Sequence, residues 1–261
     1  MKCIFIKKKY IFALILLFVL FIFVLLFSHR SSSFAIDIAE NCAISSSLRT
    51  KFDTLSSSNE KIAYLTFDDG PTIKATPKIL DILKEENIKA SFFVIGKYVK
   101  NHPDIVKREY EEGHYIANHG YDHNNAKLYS NSESFISEVK NTDLEIGKAI
   151  GIENYCSHIF RFPNGYMSAN NKGSKNKAVK LLQEMDYTYV DWNCLNNDSV
   201  KKYSKQQLLN NLKKTAKNKG SLVVLMHDTA DVNNSSEILK ESISYLKSEG
   251  YQFKNFYDLL K

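Results

Sequence analysis

The residues able to do chemistry fall into five short clusters. Asp68-Asp69-Gly70-Pro71 sets two carboxylates side by side ahead of a Gly-Pro turn, and His119 and His123 stand four apart in NHGYDH. Arg161 opens RFPNG, Asp191 precedes Trp192, and His227-Asp228 ends the run LMHD. Adjacent acids at the mouth of a buried strand repel each other and resist desolvation, so a cation, an arginine or acid–base work must offset them. Two histidines four apart lie on one side of a helix or tight loop and can share one cation, with a carboxylate as third ligand. A lone DDG is as readily an acidic surface turn, and two such histidines are commonplace. Combined, Asp69, His119 and His123 make a His₂Asp set with an open position, which catalytic zinc requires for its water.

Something must hold these clusters together, and the surrounding pattern indicates what. Residues 62–67 are a short apolar, β-prone run that suits a buried strand. Further strand-like runs are predicted at 90–95, 115–117, 158–162, 187–191, 221–226 and 251–253. Helical patterns separate them. Thr76 is placed to N-cap a helix with Pro77 at its first position, and others are predicted over 104–112, from Ser132 to near Gly151, over 177–185 and over 236–249. Ser204-Lys205-Gln206-Gln207 reads as a capping box opening one more. Repeated βα alternation implies a parallel sheet, closed as a barrel or open and doubly wound. No GxGxxG or Walker A loop occurs, which weakens the nucleotide-binding open sheet. The polar clusters directly follow the strands, as on the active-site face of a (β/α) barrel.

The chain has 261 residues, 44% of them hydrophobic, with 10 Gly and 4 Pro, enough for one sizeable domain plus appendages. Residues 10–28 carry no charge and follow Lys2, Lys7, Lys8 and Lys9. That is about the length of a membrane span, and the lysines hold the N-terminus in the cytoplasm. The reading is a cytoplasmic stub and transmembrane signal anchor over 1–29, with all that follows extracytoplasmic. A signal cleaved after Ser33-Phe34-Ala35 is the alternative and would make the protein secreted. Residues 30–60 hold three serine triplets and read as a flexible polar linker, with a small helical cap as the alternative. The catalytic domain then spans 61–261. With Lys2, Lys7, Lys8, Lys9 and Arg30 set aside, 30 basic residues face 29 acids, so no basic field argues for nucleic acid. Cys3 is cytoplasmic, and Cys42, Cys156 and Cys194 are spaced neither as a thiolate zinc site nor as a disulfide framework. Cys156 and Cys194 flank different strands at opposite ends and are not expected to bond.

Five motifs in order carry a resemblance. TFDDGP (66–71), HGYDH (119–123), RFPNG (161–165), YVDW (189–192) and LMHD (225–228) look like those of polysaccharide deacetylases, the carbohydrate esterase family 4 or NodB-homology enzymes. The match runs from about Ile62 to the C-terminus. It implies a distorted (β/α) barrel of parallel strands, here preceded by the transmembrane helix, and one divalent metal, zinc first, with cobalt, nickel or manganese as alternatives. It also implies removal of acetyl groups from N-acetylated sugars, with a cell-wall polysaccharide as substrate partner and no protein partner.

Carried over by residue, the resemblance gives the metal to Asp69, His119 and His123. Asp68 becomes the general base, held by Arg161, and His227 the general acid, its pKa raised by Asp191. Asn164 serves through its backbone N–H at the developing oxyanion, while Trp192 and Leu225 wall the acetyl pocket or, equally, belong to the core. Asp228 has no assigned role. Two departures stand out. Gly120 replaces the Ser or Thr usual after the first histidine, removing a hydrogen bond that steadies the metal loop, and Asn164 stands where Tyr is frequent. The implied activity is N-deacetylation of N-acetylglucosamine in peptidoglycan. Muramic acid, chitin-like oligomers, another N-acetylglucosamine polymer or O-acetyl esters of xylan are rivals, since substrate choice lies in loops 164–175 and 193–203. From another class, the chain could be a membrane-tethered glycan-binding protein without turnover.

Overall fold

The structure, a computed structural model, describes residues 46–229 and 235–260. The uncharged N-terminal run, the alternative cleavage site and Cys42 lie outside the described residues. No helix among the described residues is long and apolar enough to cross a membrane.

In chain order the helices are α1 (Ser46–Thr54), α2 (Thr76–Glu85), α3 (Gly96–Asn101), α4 (Pro103–Glu111), α5 (Asn125–Leu128), α6 (Ser132–Ile150), α7 (Lys172–Glu184), α8 (Lys205–Ala216), α9 (Leu239–Ser248) and α10 (Tyr257–Leu260). The strand β1 (Ile62–Asp68) is the centre of the sheet. It pairs with β2 (Ser91–Val94) on one side and with β7 (Leu222–His227) on the other, and β8 (Gln252–Lys254) pairs its first residues. Beyond β2 come β3 (Tyr115–Asn118), β4 (Ile159–Phe160) and β5 (Thr188–Tyr189); beyond β7 comes β6 (Cys194–Leu195). Each of these pairings is parallel.

Period-two alternation turns this sheet into a container. Along β1, Ala63, Leu65 and Phe67 pack with the helices, as do Leu222, Val224 and Met226 of β7. The alternate residues Ile62, Tyr64 and Val223 meet Phe93, Tyr115, Ala117, Ile159 and Val190 in a second, inner cluster. Residues of β1 to β4 and β7 meet Val190, just beyond the edge strand β5, in that cluster, so the parallel sheet forms a half-barrel consistent with a distorted (β/α) barrel. The register places Asp68 of β1 opposite His227 of β7 at the C-terminal mouth.

Several sequence expectations hold with shifted ends. Ser204 and Gln207 form the capping box, with Gln207 N donating to Ser204 Oγ at 3.3 Å and Ser204 N to Gln207 Oε1 at 2.9 Å. α6 stops at Gly151, whose φ of 74° is the left-handed conformation glycine tolerates. Cys156 and Cys194 are free thiols. Others need correction. Thr76 is the first residue of α2, not its cap; its hydroxyl donates to Asp228 Oδ2 at 2.7 Å, so a tertiary contact takes the group that would have capped. The flexible linker does not extend through residues 46–57. α1 and the short 3₁₀ turn Leu55–Ser57 put Phe52 and Leu55 into the inner cluster, and burial of those two side chains outweighs the serine-rich composition. Cys194 lies in β6, a strand too short and polar in its flanks to stand out.

One buried group is at odds with its surroundings. Glu109 of α4 is fully buried, and neither carboxyl oxygen has a hydrogen-bond partner among the described residues. Burial, reinforced by the Asp228 carboxylate, pushes its pKa well above the usual range. An acid whose folded pKa is raised costs stability as pH rises from its unfolded value toward its folded one. Glu109→Met is therefore expected to stabilise the fold at neutral pH by about 1–3 kcal/mol. The gain should shrink toward pH 4, as thermal melts across pH would show; a gain independent of pH would mean packing alone.

Candidate active site

The end of β1 separates its two carboxylates. Asp68 is still extended and points into the barrel, where it is 3% exposed. Asp69 follows with φ 75°, so its side chain turns onto the mouth instead of to the outer face. Gly70 permits this turn because a Cβ there would fall 1.8 Å from Asp228 Oδ2. Asp228, unassigned from sequence, latches the loop: its N–H donates to Asp68 O at 3.1 Å and its carbonyl accepts from Thr72 Oγ1 at 2.6 Å.

Arg161, just past β4, is completely buried beneath the mouth. Nη1 donates to Asp68 Oδ1 and to Thr66 Oγ1, both at 2.7 Å, while Nε donates to Val190 O at 2.9 Å. The guanidinium lies 3.9 Å from the Phe93 ring centroid. A buried cation held by this many partners fixes Asp68 in one orientation and leaves Oδ2 directed at the mouth.

Asp69, His119 and His123 converge. Asp69 Oδ1 lies 3.4 Å from His119 Nε2 and 3.5 Å from His123 Nε2, and the three ligand atoms fall within 4.8 Å of one another. Two observations fit a cation here. Asp69 Oδ1 is buried with no hydrogen-bond partner, a costly state for a carboxylate oxygen unless something else occupies it. His119 Nδ1 donates to Arg161 O at 2.8 Å, which fixes the tautomer and leaves the Nε2 lone pair for a metal. Burial opposes ionisation of Asp69, but its neighbours His119, His227 and His123 hold its pKa well below the usual range, as a ligand needs. The donor set suits zinc or a similar divalent ion.

Across the mouth, His227 Nε2 lies 4.0 Å from Asp69 Oδ2. Its Nδ1 hydrogen-bonds Asp198 Oδ1 at 2.6 Å, and its backbone N–H donates to Asp198 Oδ2 at 2.8 Å. Burial would lower the His227 pKa, but the Asp198 hydrogen bond and the Asp198, Asp68 and Asp69 charges outweigh it and raise it to about 9. Ser235 Oγ also donates to Asp198 Oδ2.

This corrects the expected partner, Asp191. β5 is one edge of the sheet, whereas β6 lies beside β7, so the carboxylate following β6 reaches His227 and the one following β5 does not. Asp191 instead accepts from Tyr166 N at 2.9 Å and Met167 N at 3.0 Å, pinning the loop that carries Asn164. Asp198 lies in the loop flagged for substrate choice, but no spacing in Asn196-Asn197-Asp198 singled it out.

Asn164, Trp192 and Leu225 all line the cavity of about 320 Å³ above the two histidines, with Gly165 and residues 197–200. Gly165 has φ 77°, and a Cβ there would sit 2.6 Å from Trp192 Cη2, so glycine is needed for the tryptophan to close that wall. Lys175 Nζ donates to Gly165 O at 2.6 Å and to Ser168 Oγ at 2.7 Å, a second staple on the loop that sequence reasoning missed.

The sequence matches the polysaccharide deacetylase family over residues 56–190. It is 38% identical over 203 residues to a peptidoglycan-N-acetylglucosamine deacetylase of Bacillus cereus, covering 76% of this chain and 70% of the relative. It is 31% identical over 216 residues to the peptidoglycan-N-acetylmuramic acid deacetylase PdaA of Bacillus subtilis, covering 82% and 78%. Among solved structures, the polysaccharide deacetylase Bc1974 from Bacillus cereus superposes with a TM-score of 0.64 at 37% identity, over 75% of this chain and 92% of that one. Sequence and fold both agree with these matches, and the chain belongs to the polysaccharide deacetylase family.

Proposed function

We propose that this protein is a metal-dependent N-deacetylase acting on N-acetylglucosamine of peptidoglycan. The observation that carries this reading is the convergence of three devices on one cavity: Asp68 held by Arg161, the Asp69–His119–His123 set, and His227 held by Asp198. When bound, the metal, zinc by the donor chemistry, would polarise the amide carbonyl and lower the pKa of the attacking water.

The protein's own groups supply the proton transfers. Asp68 Oδ2 takes a proton as water adds to the carbonyl carbon. His227, charged at neutral pH, gives its Nε2 proton to the sugar nitrogen as the C–N bond breaks, releasing acetate and a free amine. The Asn164 backbone N–H enters no described hydrogen bond and is offered to the developing oxyanion. Trp192 and Leu225 exclude water from the acetyl methyl. The names of the relatives support peptidoglycan as the substrate.

Acetate release from a panel of glycans, with and without chelator, tests the reading. The panel holds peptidoglycan, its muramic-acid-only modification state, chitin oligomers and acetylated xylan. Chelator-sensitive release from peptidoglycan glucosamine is expected. Preference for muramic acid would transfer the activity to that sugar, and absence of release from all would leave a glycan-binding protein. The assay should use the full chain in detergent, since cutting at Ile62 would remove Phe52 and Leu55 from the inner cluster.

The same proposal places the catalytic domain outside the cytoplasmic membrane, tethered by the uncharged run 10–28. The full-length protein is expected to fractionate with membranes and to lose its domain to external protease. A mature N-terminus near Ile36 in the culture medium would show a secreted protein instead.

A further inference from the structure

The two amides midway between the histidine ligands are held by a single buried side chain. Most backbone groups along the loop between those ligands are occupied, the Asp122 carbonyl by Lys97 Nζ at 3.3 Å. His119 N donates to Val94 O at 3.0 Å, and Gly120 N to Asn118 Oδ1 at 2.9 Å. The carbonyls of Gly120 and Tyr121 accept from the first amides of α3, Gly96 N at 3.0 Å and Lys97 N at 2.8 Å. That leaves the amides of Tyr121 and Asp122, midway between the ligands. Both donate to one atom, Glu138 Oε2, at 2.8 and 3.2 Å.

Glu138 lies on α6, 3% exposed, with its other oxygen 2.7 Å from Lys127 Nζ. A buried carboxylate accepting two backbone amides and one ammonium is fully satisfied, and charge-assisted bonds of this kind are about twice as strong as neutral ones. Glu138 Oε2 is also the nearest atom to a Cβ built on Gly120, at 3.8 Å. Gly120 itself has φ 82°, a conformation that disfavours a residue with a side chain. The carboxylate thus stands beside the position where a local hydroxyl is missing.

We propose that Glu138 is the positioning residue of the metal loop: by binding the Tyr121 and Asp122 amides it holds His119 and His123 in ligating geometry before the metal arrives. The proposal rests on the reading of Asp69, His119 and His123 as a metal site. Without the clamp, the loop must be ordered when metal binds, and that ordering cost appears as lost affinity.

Glu138→Gln tests it, because the amide keeps the size of the side chain but loses its charge and its pairing with Lys127. Thr142→Val is the control. Thr142 is one turn along α6, buried, and its hydroxyl donates to Glu138 O at 2.8 Å instead of bonding a loop amide. Two readouts are needed on the full-length protein: zinc affinity by competition with a chromophoric chelator, and hydrogen exchange of the Tyr121 and Asp122 amides in metal-free protein. Glu138→Gln is expected to weaken zinc binding 10–100-fold and to speed exchange of those two amides selectively. Thr142→Val should lower the melting temperature while changing neither. Equal loss of affinity in both variants, or unchanged exchange in Glu138→Gln, would overturn the proposal. If the wild type binds no zinc, the metal reading fails, and the exchange data alone decide whether Glu138 clamps the loop.

Discussion

Asp68→Asn is expected to fold, keep its metal and lose two to four powers of ten in deacetylation, whereas Asp69→Asn should fold and lose the metal itself. The two residues are adjacent, yet the backbone gives them different tasks. Asp68 is the last residue of β1, and its Oδ1 is committed to Arg161 at 2.7 Å. Its Oδ2 lies 3.8 Å from His119 Nε2, close enough to the ligand cluster to serve a bound water but farther than Asp69 Oδ1. Asparagine keeps an acceptor for Arg161 and removes the basicity. Arg161 then stays buried beside a neutral amide, so a lowered melting temperature should accompany the kinetic loss. At Asp69 the unpartnered Oδ1 is the atom both histidines face, and two imidazoles without it make a poor catalytic site. Metal content measured beside acetate release decides the matter. Metal lost from Asp68→Asn and retained by Asp69→Asn would exchange the assignments, and two metal-loaded, active variants would remove the deacetylase reading altogether.

What could be read from the sequence was what repeats locally. The β1 run, the α6 stop at Gly151 and the Ser204 capping box are signalled by neighbours within a turn or a strand, and the His119–His123 pair by a four-residue spacing. Joining Asp69 to that pair took the resemblance of the ordered motifs. What could not be read depends on which elements become neighbours. Asp191 and Asp198 are both acids just after short strands, and only the sheet order, with β6 beside β7, tells which reaches His227. Thr76 has a capping residue's type and place, but Asp228, distant in sequence, takes its hydroxyl. Serine-rich residues 46–57 read as linker because two buried side chains, Phe52 and Leu55, decide their fate, and composition averages those away. Glu138 sits in an ordinary amphipathic helix, and nothing nearby announces that it serves a loop 17 residues before it.

The second large effect separates Asp198 from Asp191. Asp198 is 2% exposed and spends both oxygens on His227, one on Nδ1 and one on the backbone amide. Its charge is the chief reason the imidazolium persists to about pH 9 despite burial, which alone would favour the neutral ring. A general acid must be protonated, so activity should fall as pH rises through that value. Asp198→Asn removes the anion and lets burial prevail, so the alkaline limb of kcat should move to lower pH and activity at neutral pH should drop by about one to two powers of ten. Stability follows the same sign. A histidine whose folded pKa is raised stabilises the fold fully below its ordinary value near 6.5 and loses that contribution as pH rises toward 9. Between those limits the wild type should lose stability relative to Asp198→Asn. Asp191→Asn should leave the limb in place, because its carboxylate holds the Tyr166 and Met167 amides; the loosened Asn164 loop should appear as a raised KM. Rate profiles of the three proteins across pH, together with thermal melts, make the comparison. A limb that moves in Asp191→Asn and stays in Asp198→Asn would return the acid's partner to the residue the family resemblance implied.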